Sequence, residues 1–132
     1  MDLQKVSDCM SADFAKITPN MPVAEATRNL TKKTLLGGPV INETGSLVGW
    51  ISEQDCLKVT VQVAYLDQRV ATVNEIMSTD VLTIKTSDDL LSVAQQMLDA
   101  KPKTYPVVDE SDKLVGVLTR RHVLDYLVSQ IG

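Results

Sequence analysis

An internal repeat limits the folds that these 132 residues can adopt. Residues 6–11 match residues 73–78, and residues 39–41 match residues 106–108, at one constant separation along the chain. A single register that runs through both halves without gaps is the signature of a duplicated unit. We therefore predict two similar domains, which have to pack together because neither is large enough to cover its own sheet.

Each half shows the same order of patterns, and we place the domains at residues 1–66 and 67–132. A short apolar stretch and a turn are followed by Val23, Ala26 and Leu30, whose spacing of three and four places them on one helix face. Two β-branched runs around a polar turn then predict a hairpin, and a second helix closes the half. The fold class is mixed α/β (α+β), with two pseudo-symmetric β-α-β-β-α units packed through their sheets.

Composition argues against several classes of partner. The formal net charge of −4 is unfavourable for binding nucleic acid, whose phosphates attract clustered cations. No stretch approaches the roughly 20 apolar residues of a membrane helix. Two cysteines are too few for a disulfide framework and favour a reducing compartment. We expect a cytoplasmic protein with no nucleic-acid or membrane partner.

One motif occurs in both halves: Pro-Val-hydrophobic-Asp/Asn, a turn, then Leu-Val-Gly-x-hydrophobic-Ser/Thr-x-x-Asp. The first half carries it at residues 39–42 and 47–55, and the second half at residues 106–109 and 114–122. This pattern resembles the CBS (cystathionine β-synthase) domain, and the tandem pair is similar to a Bateman module. The resemblance extends over nearly the whole chain.

The resemblance implies two units related by a pseudo-twofold axis, with two clefts between them. In that family the clefts often bind adenosine-containing ligands, and the pairs commonly dimerise. The implied function is a regulatory, non-enzymatic module that binds AMP, ADP, ATP or S-adenosylmethionine and modulates an unidentified partner protein. No cofactor is required, and a homodimer is expected. The alternative is a structural dimerisation scaffold with empty or vestigial clefts.

The end of the motif has a physical logic of its own. Ser52 and Thr119 stand where a strand meets a helix, so each hydroxyl can cap the helix or donate to a ligand phosphate. Asp55, three residues after Ser52, can accept both hydroxyls of a ribose. The structural alternative is a capping box, in which the acid accepts the N–H of the capping residue.

The second half departs from the motif at His122, which replaces the acid. A neutral imidazole cannot accept from two ribose hydroxyls as a carboxylate does. The neighbouring cations Arg120, Arg121 and Lys103 favour phosphate instead, or form a solvated face.

Further contacts are implied by position in the family. The residues before each Pro-Val pair line the base pocket there. Gly37 and Gly38 would let a ring approach the main chain, or would only form a loop turn. Tyr105 could stack on a base or fill the core edge. The full set of candidate ligand-binding residues is Thr18, Gly37, Gly38, Pro39, Ser52, Asp55, Lys85, Lys103, Thr104, Tyr105, Pro106, Thr119, Arg120, Arg121 and His122.

Two features remain open at this point. Trp50 occupies a position that is usually aliphatic in the family, and it either lies at a dimer surface or plugs the mouth of a cleft. No nucleophile elbow, phosphate-loop consensus or zinc-ligand pair is present in the sequence, and a lone histidine does not make an acid–base pair. The sequence therefore predicts no catalytic residues and no metal site.

Overall fold

A computed structural model describes residues 4–66, 71–99 and 104–131 of the chain. It divides the chain into two compact units. The central unit is Phe14–Val81. The terminal unit combines the chain up to Asp13 with the chain from Leu82 onwards. The predicted mixed α/β fold is confirmed, whereas the predicted domain boundary after residue 66 adjoins residues outside the described ranges and stays a prediction.

The central unit consists of one antiparallel hairpin and three helices. Its elements are α1 (Val23–Lys32), β1 (Gly37–Ile41), β2 (Leu47–Ser52), α2 (Glu53–Leu66) and α3 (Val73–Ile76). β1 pairs with β2.

The terminal unit repeats the order helix, hairpin, helix that runs from α1 to α2, and it adds a short strand that joins its sheet. After a 3-10 turn, its elements are β3 (Ile84–Lys85), α4 (Leu90–Asp99), β4 (Thr104–Val108), β5 (Leu114–Thr119) and α5 (Arg120–Ile131). β3 is parallel to β4, and β5 is antiparallel to β4.

The apolar spacing of the first helix predicts its buried face. Val23, Ala26 and Leu30 are all buried in α1, where they pack with Val40 and Ile51 of the hairpin. Successive side chains of a strand alternate between the two faces of a sheet. Val40 and Ile51 share one face, and it is the face that the helices cover. Burial of this aliphatic set supplies the main driving force for folding of the central unit.

Each sequence repeat starts with a short segment. This segment is hydrogen-bonded within the unit that most of the other repeat forms. We call residues 4–11 and 71–78 the entry segments. Five backbone hydrogen bonds of 2.8–3.1 Å attach the first segment to the terminal unit, and five of 2.8–3.0 Å attach the second to the central unit. The partners are equivalent in the two units: Ser11 exchanges two bonds with Val117, and Ser78 exchanges two with Trp50.

The glycine of each Leu-Val-Gly sequence makes room for an entry segment. A Cβ atom on Gly49 would lie 2.7 Å from the Met77 sulfur and 2.9 Å from the Ser78 carbonyl oxygen. A Cβ on Gly116 would lie 2.7 Å from the Ser11 carbonyl oxygen. Since a carbon atom cannot approach backbone oxygen that closely, only glycine fits at these two positions.

We predict that Gly49→Ala and Gly116→Ala each lower the free energy of unfolding by about 1–3 kcal/mol, the usual cost of overpacking. The matched control is Gly38→Ala in the same hairpin, whose Cβ would meet only side-chain ends at 3.3 and 3.5 Å. Urea denaturation measures all three variants. Equal stability of Gly49→Ala and Gly38→Ala would contradict the close approach.

Candidate ligand-binding site

The corner between β2 and α2 is closed by a reciprocal pair of hydrogen bonds. The Asp55 N–H donates to the Ser52 Oγ at 3.0 Å, and the Ser52 N–H donates to the Asp55 Oδ2 at 3.1 Å. The Glu53 N–H donates to the Leu36 carbonyl at 2.7 Å, which fixes the start of β1 against the helix. The capping box predicted as the structural alternative is therefore present.

Capping leaves binding capacity at this corner. The Ser52 hydroxyl accepts from the Asp55 N–H, and its own hydrogen is still available to a ligand. The bond from Ser52 uses only Oδ2 of Asp55, and a carboxylate has about four lone-pair positions. Both residues are half-buried and so remain reachable from solvent. The cap therefore orients the Asp55 carboxylate without saturating it.

The equivalent corner between β5 and α5 uses an imidazole in place of the carboxylate. The His122 N–H donates to the Thr119 Oγ1 at 3.1 Å, and the Thr119 N–H donates to the His122 Nδ1 at 3.2 Å. Because a backbone N–H can only donate, Nδ1 has to be the unprotonated nitrogen, and the hydrogen of the neutral ring is on Nε2. The acceptor of His122 is thus already occupied, and a ligand at this corner would meet a donor.

The two corners also carry opposite charge. The first turn of α2 begins with the acidic Glu53 and contains Asp55, whereas α5 begins with Arg120 and Arg121. Both arginines are exposed. The positive end of a helix dipole favours anions at either corner, but only the α5 corner adds cationic side chains to it.

The two glycines before Pro39 face opposite sides of the hairpin. Both belong to β1, so the alternative that they merely form a loop turn is wrong. A Cβ on Gly38 would point at the core side chains of Leu30 and Ile17. A Cβ on Gly37 would instead lie 2.8 Å from the indole Nε1 of Trp50. A ring does approach the main chain at Gly37, and it belongs to the protein itself.

Tyr105 occupies the position equivalent to Gly38 and lies in the core of the terminal unit. Its side chain is 0% exposed and clusters with Ile84 and Met97. Among the described residues no partner binds its hydroxyl group, and burial raises the pKa of the phenol. Tyr105 therefore fills the core, and its contact with a ligand stays a prediction.

We predict that Tyr105→Phe raises the free energy of unfolding by about 1 kcal/mol, since an unsatisfied buried polar group costs about 1–3 kcal/mol. Because the pKa of Tyr105 is raised in the folded state, the unfolded state loses the phenol proton first, and stability falls as the pH rises from the ordinary pKa of about 10 through the folded-state pKa. The wild type should therefore lose more stability than the variant in urea denaturation at alkaline pH. A loss of more than about 1 kcal/mol in the variant at neutral pH would show that the hydroxyl has a partner.

The remaining candidates divide between the two ends of the strands. Thr104 is paired with Thr119 and belongs to the α5 corner. Lys85 pairs with Val108, at the opposite end of β4 from Thr104, which places it about 13 Å along the strand from that corner. Thr18 follows the bridge between Ile17 and Val40 and occupies the equivalent place beside β1.

The last three candidates are Pro39, Pro106 and Lys103. Pro39 and Pro106 are buried inside their strands, opposite Trp50 and Val117 respectively. Lys103 lies outside the described residues.

The described residues contain no cluster of three or more His, Cys, Asp or Glu side chains that could hold a metal ion. Burial raises the pKa of the Cys56 thiol, and the nearby Asp55 and Glu53 carboxylates raise it further. Cys56 therefore lacks the lowered pKa of a reactive thiolate. In the same described ranges, no helix has the length and apolarity needed to cross a bilayer.

Two units, each with a helix, a hairpin and a capped corner between the hairpin and the next helix, define a tandem pair of small α/β domains. The family model of the CBS domain matches residues 6–61 and 73–129. The chain therefore belongs to the CBS domain family, as the motif predicts.

Known relatives agree with this assignment. The chain is 30% identical over 127 residues to the CBS domain-containing protein MJ0729 of Methanocaldococcus jannaschii, which covers 96% of this chain and 97% of that protein. The crystal structure of CBSX2 from Arabidopsis thaliana in complex with AMP matches with a TM-score of 0.84 at 28% identity, over 97% of this chain and 98% of the other. The CBS domain pair of protein MJ0100, in complex with 5'-methylthioadenosine and S-adenosyl-L-methionine, matches with a TM-score of 0.78 at 26% identity, over 98% and 99% of the chains.

Proposed function

We propose that this CBS pair is a non-catalytic regulatory module that binds an adenosine-containing ligand and thereby modulates a partner protein. The observation that carries the proposal is the Asp55 carboxylate, which the capping box orients and leaves able to accept further hydrogen bonds. The complexes of CBSX2 with AMP and of MJ0100 with S-adenosyl-L-methionine support this class of ligand.

Asp55 is suited to recognise a ribose. The vicinal 2' and 3' hydroxyls present two donors, and the two oxygens of one carboxylate match them. Hydrogen bonds to a charged acceptor contribute about 1.5–3 kcal/mol each, which is enough to select a nucleoside over a base alone. Ser52 can add a donor to the ligand from the same corner.

The corner at α5 is suited to a different kind of chemical group. His122 presents the Nε2–H donor, and Arg120 and Arg121 add positive charge at the helix start. Donors and cations together fit a phosphate or another anionic group better than a ribose. We therefore propose unequal roles, with the sugar recognised at the α2 corner and anionic groups favoured at the α5 corner.

Regulation follows if the ligand binds two states of the module with different affinity. A ligand shifts a conformational equilibrium only by its differential affinity for the states. The ligand would act in this way on an unidentified protein, without any required cofactor. The cytoplasmic location stays a prediction, and the free thiols of Cys9 and Cys56 are consistent with it.

We predict that an adenine nucleotide or S-adenosylmethionine raises the melting temperature of the protein. A ligand at one hundred times its dissociation constant adds about 2.7 kcal/mol of stability. The panel consists of AMP, ADP, ATP, S-adenosylmethionine, NADH and cyclic dinucleotides. If none raises the melting temperature at millimolar concentration, the ligand-binding function is wrong.

The role of Asp55 is tested with Asp55→Asn, because the amide oxygen can still accept the Ser52 N–H and preserve the cap. We expect at least a tenfold loss of affinity for the ligand that emerges from the panel, about the worth of one charged hydrogen bond. The control is the 2',3'-dideoxy form of the same nucleotide, which lacks both hydroxyls and should bind the variant and the wild type with similar affinity. Unchanged binding of the ribonucleotide by Asp55→Asn would remove this carboxylate from the site.

Exposed apolar stripes on the helix that follows the hairpin in each unit favour a homodimer. Leu57, Val61 and Tyr65 are exposed on α2 at intervals of four residues, and Leu124 and Val128 repeat the spacing on α5. Exposed apolar residues in a row on one helix often mark an interaction site. A second copy of the chain is the partner we propose for these stripes, which would serve the alternative function of a dimerisation scaffold equally well.

We predict that multi-angle light scattering gives twice the mass of one chain. Leu57→Glu with Leu124→Glu should reduce the mass to that of a monomer, because two charges would have to be buried at the interface. The control Lys58→Glu changes charge at an exposed position of α2 beside the stripe. A monomeric wild type, or a dimer unaffected by the two leucine substitutions, would contradict this interface.

A further inference from the structure

The indole of Trp50 covers the backbone of Gly37. Its Nε1 and Cε2 atoms lie 2.8 and 3.3 Å from the point that a Cβ on Gly37 would occupy. We propose that Trp50 is the specificity-determining residue of the central unit: it occupies the surface on which the base of a ligand would pack and has to rotate away before a base can bind. This inference rests on the proposed nucleotide function.

The register of the hairpin places Gly37 beside the proposed ribose contact. Gly37 is paired directly with Ser52, which is hydrogen-bonded in both directions to Asp55. Paired residues of antiparallel strands have their Cα atoms about 4.5–5.5 Å apart. A base attached to a sugar at Asp55 is therefore within reach of Gly37, whose lack of a side chain leaves a flat surface for a ring.

The backbone of Trp50 is fixed by its neighbours, so a movement of this residue has to be a movement of its side chain. Its backbone exchanges two hydrogen bonds of 2.8 Å with Ser78 on one side and is paired with Pro39 on the other. The strand is thus held from both edges, and the indole can leave Gly37 only by rotation about its side-chain bonds. Because the indole is half-buried, its removal costs contact area that a ligand has to replace with a ring of its own.

The terminal unit carries no aromatic side chain at the two equivalent positions. The residues at the positions of Gly37 and Trp50 are Thr104 and Val117. Trp50→Val therefore gives the central unit the residue that the terminal unit already has, and the sequence supplies its own matched comparison. We infer that displacement of an aromatic side chain accompanies ligand binding in the central unit alone.

A ring that has to be displaced weakens the binding of ligands that carry a base and leaves the binding of other ligands unaffected. A ligand that lacks a base, such as ribose 5-phosphate, can contact Asp55 while Trp50 remains in place. A nucleotide gains its full affinity only in the fraction of molecules in which the indole has moved, so its apparent affinity is reduced by that fraction. Removal of the indole should then improve the binding of AMP and leave the binding of ribose 5-phosphate unchanged.

The experiment uses the full chain and two independent readouts. Isothermal titration calorimetry compares AMP and ribose 5-phosphate on the wild type, Trp50→Val and Trp50→Phe. We expect AMP to bind Trp50→Val at least about tenfold more tightly than the wild type, which corresponds to an indole that covers Gly37 in about nine molecules of ten. Trp50 is also the sole tryptophan of the chain, so its fluorescence reports the position of this one ring in the unaltered protein. Saturation of the wild type with AMP should make the indole more accessible to quenching by acrylamide.

Each outcome separates this inference from the function on which it rests. Tighter binding of AMP by Trp50→Val than by the wild type, together with increased quenching of the wild type by acrylamide, supports the displaced ring. Equal affinity in both proteins, with unchanged quenching, overturns the role of Trp50 and leaves the nucleotide function standing. Weaker binding by the variant, with an indole protected by AMP, also overturns it and indicates that the base stacks on Trp50. If the wild type, Trp50→Val and Trp50→Phe all fail to bind any nucleotide of the panel, both proposals fail.

Discussion

Within each unit, five backbone hydrogen bonds between described residues fix an entry segment in place, and the rest of the unit depends on this pairing. Each unit by itself has a strand edge at β2 or β5 that would expose unpaired N–H and C=O groups, and the entry segment pairs with that edge. Gly49 and Gly116 are required because the segment passes directly over them. The same contact fixes the backbone of Trp50, so the geometry at Gly37 depends on a segment that the other sequence repeat supplies.

Much of the fold is predictable from local patterns. The burial of Val23, Ala26 and Leu30 follows from helical spacing, and the hairpins follow from β-branched runs around a polar turn. The exchange of the entry segments is not predictable in this way, although residues 6–11 and 73–78 stand out as repeats. Repetition shows that two segments are equivalent, but it does not show which sheet edge each one joins, because that choice depends on long-range pairing.

The site shows a similar limit. The Ser52–Asp55 capping box follows from spacing alone, since residues three apart meet in the first turn of a helix. The sequence also predicts a close ring contact at a glycine, but only the register of the hairpin shows that Gly37 faces Trp50 and Gly38 faces the core. Tyr105 could be read as either a base contact or a core residue, and its burial with Ile84 and Met97 depends on a strand that starts earlier than the motif indicates.

The exchange of the entry segments also makes the central unit an insertion within the terminal one. The backbone hydrogen bonds of the second entry segment span 28–55 residues of sequence, whereas those of the first segment span 79–106 residues, so the central unit closes through shorter separations than the terminal unit. Ser11 can form its hydrogen bonds only after Val117 has been synthesised, near the end of translation of this sequence. The chain between Ser11 and Val117 forms a loop that contains the whole central unit. Folding of that intervening unit brings the two ends of the loop together and lowers the entropy lost when the terminal unit closes. Two repeats with the same pattern of elements are thereby given a fixed order of assembly.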